Sequence, residues 1–168
     1  MIRVLLIAML IGLGAITAGA REAARIEVYE FGTYAAVGPA YRQPPSPQGI
    51  KIETHEGYVH LETTRTIVAQ LGARFGFRYR TIANGRAYVA PLKMVWTFPP
   101  PGLIGRDPQK PVRREVVALP ALSNGSSALI MSLESPSDLV AGTWTIEIWS
   151  GNRKLAEENF EIVMPLIS

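Results

Sequence analysis

The sequence predicts an all-β protein: an antiparallel β-sandwich of immunoglobulin-like type, with about seven to nine strands after a cleaved N-terminal signal peptide. Three observations predict it. Fifteen Gly and thirteen Pro punctuate a chain of 168 residues into short segments rich in Val, Ile, Thr, Tyr, Phe and Trp. Phe75, Phe77 and Tyr79 alternate with Arg74, Arg78 and Arg80, the period-2 pattern of a strand with one buried and one wet face. Trp144, Ile146 and Ile148 alternate in the same way before Gly151-Asn152, a turn dipeptide that returns the chain as a hairpin.

The signal is read at residues 1–20. Arg3 supplies the positive start, Val4 to Ile16 is an apolar and glycine run, and Ala18-Gly19-Ala20 offers the small residues of a cleavage site. A membrane span needs about 18 to 20 apolar residues, more than this run supplies, so cleavage is favoured over a stable anchor. The expectation is an exported, periplasmic or secreted protein whose residues 21–168 form one domain.

Arg25 to Val37 reads as the first strand, with Ile26 and Val28 on one face and a bulge or bend at Gly32. Pro39 to Gly49 holds Pro39, Pro44, Pro45 and Pro47 and reads as a surface loop. In Thr64 to Leu71 strand and helix patterns compete, and strand is preferred. After the alternating strand at 75–82, Asn84-Gly85 suits a type I′ turn, so Arg86 to Leu92 is expected to return against it. Lys93 to Phe98 continues as strand until Pro99-Pro100-Pro101-Gly102 ends pairing. Val112 to Leu119 and Ser127 to Leu133 read as a further pair about Asn124-Gly125. Ser135 can cap one helical turn begun by Pro136. In the final hairpin Leu155 and Phe160 are an odd number apart, so a bulge is needed between them if both face inward.

Composition removes several chemistries. The chain has no Cys, which excludes disulfides, thiolate metal sites, cysteine nucleophiles and a lipidated cysteine. Its net charge of +3 is too weak to imply nucleic acid as a partner. His55 and His60 flank Glu56, but a zinc-protease motif needs histidines four apart on a helix, whereas five residues on a strand put them on opposite faces. They read as histidines of a turn. No Gly-x-Ser-x-Gly elbow is present. Glu157-Glu158 and Glu27 with Glu30 read as solvated carboxylates, and Asn124-Gly125-Ser126 as turn chemistry. No catalytic, cofactor-binding or metal-ligating residue is assigned, and no cofactor is expected.

One local feature stands out. Between Thr63 and Arg86 lie Arg65, Arg74, Arg78, Arg80 and Arg86, and no acid. Such a stripe commonly keeps a strand face wet and discourages edge pairing. Its functional counterpart is an interaction face at Arg74, Arg78 and Arg80, whose guanidinium groups suit phosphate or carboxylate on an anionic envelope component or an envelope protein.

Several segments together resemble a known family. They are Tyr29-Glu30-Phe31-Gly32, Gly72-Ala73-Arg74-Phe75-Gly76, Trp96-Thr97-Phe98-Pro99-Pro100-Pro101-Gly102-Leu103, and the hairpin Ala141 to Ile148 with Lys154-Leu155-Ala156 and Phe160 to Val163. The pattern resembles the domain-of-unknown-function family 3859 across nearly the whole mature chain. The resemblance implies an exported bacterial β-sandwich and carries no reaction, ligand or site residue. The expectation is therefore a non-enzymatic exported binding module, acting through a strand edge, a loop or the arginine face. The rival readings are a periplasmic enzyme or small-ligand carrier with a convergent site, and a purely structural role.

Overall fold

Among the described residues, nine strands and one short turn of helix follow in chain order: β1 (Arg25–Gln43), β2 (Ile52–Glu62), β3 (Thr66–Val68), β4 (Arg74–Ile82), β5 (Leu92–Thr97), β6 (Arg114–Leu119), β7 (Ser126–Ser132), a 3-10 turn (Pro136–Asp138), β8 (Gly142–Ser150) and β9 (Arg153–Val163). The computed structural model describes residues 25–43, 46–50, 52–82, 91–119 and 125–165. The expected signal at 1–20 and the Asn84-Gly85 turn lie outside the described residues, as does Asn124.

The strands form two sheets, ordered β2-β1-β4-β7 and β3-β9-β8-β5-β6. All described pairings are antiparallel except β3 with β9, which is parallel. Alternation explains why the sheets face one another. In β4, Phe75, Phe77 and Tyr79 are buried, and in β8, Trp144, Ile146 and Ile148 are buried. Across the interface the Phe75 ring meets Trp144 edge-on at 5.6 Å and Phe160 at 5.2 Å, while Trp144 meets Phe98 at 4.9 Å. The indole N–H of Trp144 donates to the Val140 carbonyl at 2.9 Å, so its one polar atom is satisfied in the core.

The Ser135 cap region forms as its residues suggest: Asp138 accepts hydrogen bonds from the Glu134 and Ser135 amides at 3.0 and 2.8 Å. In the last hairpin the register shifts where Trp149 pairs with Lys154 and Ile148 with Ala156, so the extra residue is Leu155 itself. The bulge lies at the beginning of β9, and Leu155 packs half-buried against the core.

Three local readings are corrected. β1 does not end before Pro39: it runs to Gln43 and pairs with β2 on both sides of a register shift between Val37 and Ala40. Gly38 and Pro39 fall inside that shift, where a missing N–H costs no ladder bond. Secondly, β4 is paired by β1 on one edge and by β7 on the other, and Leu92, the end of the expected return strand, belongs to β5, while residues 86–90 lie outside the described residues. β5 instead lies in the opposite sheet between β8 and β6. Thirdly, Val112–Leu119 and Ser127–Leu133 are not partners, since β6 pairs with β5 and β7 with β4. Turn propensity favoured local hairpins in both cases, and long-range burial of the β4 and β8 faces took the strands elsewhere.

Candidate interaction surface

The three arginines of the expected interaction face stand on the outer side of β4, opposite its buried aromatics. What lies beside them is not visible in the stripe itself. β1 runs antiparallel to β4 and places Glu27 opposite Arg80 and Glu30 opposite Arg78. Arg80 Nε is 3.3 Å from Glu27 Oε2, and Arg78 Nη1 is 3.2 Å from Glu30 Oε1. Arg78 also donates to the Tyr58 carbonyl of β2, and Arg74 donates to the Gly72 carbonyl at 3.1 Å. Arg65 leaves the stripe altogether, with its guanidinium 2.8 Å from Glu158 and 3.8 Å above the Phe31 ring. Arg86 lies outside the described residues. A run of cations in sequence is thus a ladder of ion pairs in space, and its field on an anionic partner is correspondingly reduced.

Next to this ladder Tyr34 is enclosed by His60, whose ring is 5.3 Å away, and by Arg78, 5.7 Å from the phenol ring. Burial first, and then the Glu30 charge, pushes the Tyr34 hydroxyl well above the usual phenol range, with Arg78 opposing. The phenol stays protonated and acts as packing. His60 Nε2 lies 3.0 Å from the Phe31 carbonyl, a backbone contact that ties β2 to β1. Among the described residues no three His, Asp or Glu side chains gather as a metal site.

A second feature was not located by the sequence reading. β1 is shared by two partners that are staggered along it: β4 pairs with Arg25 to Thr33 and β2 with Thr33 to Gln43. They overlap only at Thr33. Beyond it, the edge of β1 turned away from β2 has no strand partner among the described residues. That edge reads Tyr34-Ala35-Ala36-Val37-Gly38-Pro39-Ala40-Tyr41, without a charge. Val37 is 49 % exposed, Val59, which lies across from Ala35, is 53 % exposed, and Leu61 farther along β2 is 64 % exposed. The register sets Val37 and Val59 on one face of the ribbon, and Leu61 is the extra residue at the register shift between Thr33 and Tyr34. No pattern in the sequence marks this edge, because the stretch is uniformly apolar and Gly38-Pro39 reads as the start of a loop.

Comparison with known proteins is consistent with the architecture. An immunoglobulin-like protein from Pseudomonas aeruginosa superimposes with a TM-score of 0.61 at 21 % identity, covering 86 % of this chain and 100 % of that one. At this identity the likeness speaks for the fold. No curated protein matches the sequence. Residues 23–162 match the family described as a domain of unknown function, DUF3859, and the chain belongs to that family.

Proposed function

We propose that this protein is an exported, non-enzymatic binding module that takes up an extended, uncharged segment of a partner protein along the free edge of β1. The observation that carries the reading is the stagger of β4 and β2 on β1, which leaves Tyr34 to Val37 without a strand neighbour on one side among the described residues. Natural sheets blunt such edges with charge, proline or a bulge; Tyr34 to Val37 has none of these, and the register shift at Gly38-Pro39 bounds the open run. A guest strand would gain main-chain hydrogen bonds from β1, while the exposed Val37 of β1 would meet its side chains on one face. The export part of the proposal rests on the charged start, apolar run and Ala-Gly-Ala site of residues 1–20. The arginine face is the weaker contact because Glu27 and Glu30 already answer Arg80 and Arg78.

The test is capture from the envelope fraction of the source cells by wild type, Val37→Lys and Arg80→Glu, with amide exchange of residues 35–41 followed on binding. Lys at an exposed edge position is a native blocking device and should leave folding intact. Loss of the captured partner with Val37→Lys alone, and slowed exchange at 35–41 in the wild-type complex, supports strand addition. Loss with Arg80→Glu alone moves the contact to the arginine face. Retention by both variants overturns both surfaces.

A further inference from the structure

The connection between β1 and β2 does not hang free. Residues 46–50 form a tight turn in which the Gly49 amide donates to the Ser46 carbonyl at 2.8 Å and the Ile50 amide donates to Ser46 Oγ at 2.9 Å. The turn is tied to the other sheet: Gln48 Nε2 donates to the Arg114 carbonyl at 2.6 Å, and the Arg106 amide donates to the Gln48 carbonyl at 2.8 Å. Ser46 and Ile50 are buried by this docking.

Beneath the turn lies Glu115 of β6, only 2 % exposed. Both of its carboxyl oxygens are enclosed without a hydrogen bond of ordinary geometry. Ser46 and the backbone at Gln48 are near enough to favour the anion, but they do not offset burial, and the carboxyl is pushed above its usual value. Among the described residues the surrounding elements bring no compensating charge. β5 sets Trp96 opposite Glu115, and the described turn contributes Ser46, Pro47, Gln48, Gly49 and Ile50. Arg114, the preceding residue in β6, is exposed on the other face, and Arg106, whose backbone approaches Gly49, is exposed. A buried, unpaired carboxylate is costly, whereas the neutral acid is not.

We propose that the 46–50 turn is a pH-dependent latch that closes over the protonated Glu115 side chain and loosens when that side chain ionises. The direction follows from linkage. With the turn open, Glu115 is solvated and titrates as an ordinary glutamate; with the turn closed its pKa is raised, so closing takes up a proton. Closure is therefore strongest below the ordinary glutamate pKa and weakens as pH rises through the raised value. The latch is independent of the strand-edge reading, since it rests on the docking of the turn over Glu115 of the other sheet and not on a partner at β1.

The test is amide exchange on the intact protein from pH 4 to 8, corrected for intrinsic exchange rates. Protection at Gly49, Ile50 and Arg106 should fall with rising pH, by up to about tenfold per pH unit, as expected for one proton. The β8 amides should not follow. Glu115→Gln, neutral at every pH, should keep the protection and flatten the profile. A flat wild-type profile, an unchanged slope in Glu115→Gln, or a parallel fall in β8 overturns the latch. Should Glu115→Gln fail to fold, the carboxyl carbon of Glu115 can be titrated by NMR in the wild-type protein. A midpoint above the ordinary glutamate value supports the latch, and one at or below it overturns the latch.

Discussion

Arg78 and Glu30 face each other across the β4–β1 ladder with their charged atoms 3.2 Å apart, and both side chains are largely shielded. Arg78 reaches at the same time to the Tyr58 carbonyl, so one guanidinium joins three strands of the first sheet. It is a structural cation rather than a spare one. Arg78→Ala should therefore cost about 1 to 3 kcal/mol, because it strands a partly buried carboxylate. Arg78→Glu should cost more, since it sets two carboxylates side by side. Arg80→Glu, at a half-exposed pair, should cost no more than about 1 kcal/mol. Urea denaturation of the three variants checks the order, and equal losses at 78 and 80 would show that Arg78 bears no more of the sheet than its neighbour.

Trp144 sits where the sheets meet, fully buried between Phe75 and Phe98. Trp144→Ala should destabilise the protein by about 3 to 5 kcal/mol, the range for deleting a large core aromatic. Trp144→Phe keeps most of the apolar contact but leaves the Val140 carbonyl without its donor, so its cost should be smaller but not negligible. Thermal unfolding of the pair measures both, and a near-neutral Trp144→Ala would contradict the burial.

Arg65 contributes by a different route. Its guanidinium stacks on Phe31 of β1 while pairing with Glu158 of β9, so it bridges the two sheets at their rim. Arg65→Lys retains the charge but not the flat stacking surface, and should still lose about 0.5 to 1 kcal/mol. A midpoint unchanged from wild type in Arg65→Lys would show that charge alone is what this position supplies.

The faces were legible in the sequence, and the partners were not. Phe75, Phe77, Tyr79, Trp144, Ile146 and Ile148 announce their burial by period 2, because a half-buried strand allows no other arrangement. The Ser135 turn was likewise legible, because its geometry is set by neighbours in sequence. Pairing is set by residues far apart. Nothing near Asn84-Gly85 reveals that both edges of β4 are already taken by β1 and β7. For the same reason the arginine stripe looked unopposed: Glu27 and Glu30, which answer Arg80 and Arg78, lie about fifty residues upstream. Glu115 was illegible in a further sense, since a glutamate beside Arg114 reads as surface until the turn at 46–50 is seen to cover it.

Gly76 separates what the backbone needs from what the side chains need. It pairs with Gly32 on one side and Ile130 on the other, and its φ of +155° lies in a region that side chains rarely occupy. A Cβ there would come within 1.9 Å of the Leu129 carbonyl oxygen and 2.9 Å of Ile130 Cα, both backbone atoms of β7 that cannot rotate away. Gly76→Ala must therefore push β7 off β4 or change the conformation of β4 between its buried Phe75 and Phe77. A loss of more than about 2 kcal/mol is expected, beyond the usual backbone gain from replacing glycine. Gly57 in β2 is the control: nothing stands within 4 Å of a Cβ built there, so Gly57→Ala should be neutral or stabilise by about 0.4 to 1 kcal/mol. Chemical denaturation of the two variants, with amide exchange in β7 as the local readout, distinguishes them. Similar stabilities for Gly76→Ala and Gly57→Ala would mean that β7 does not approach β4 as closely as the register requires.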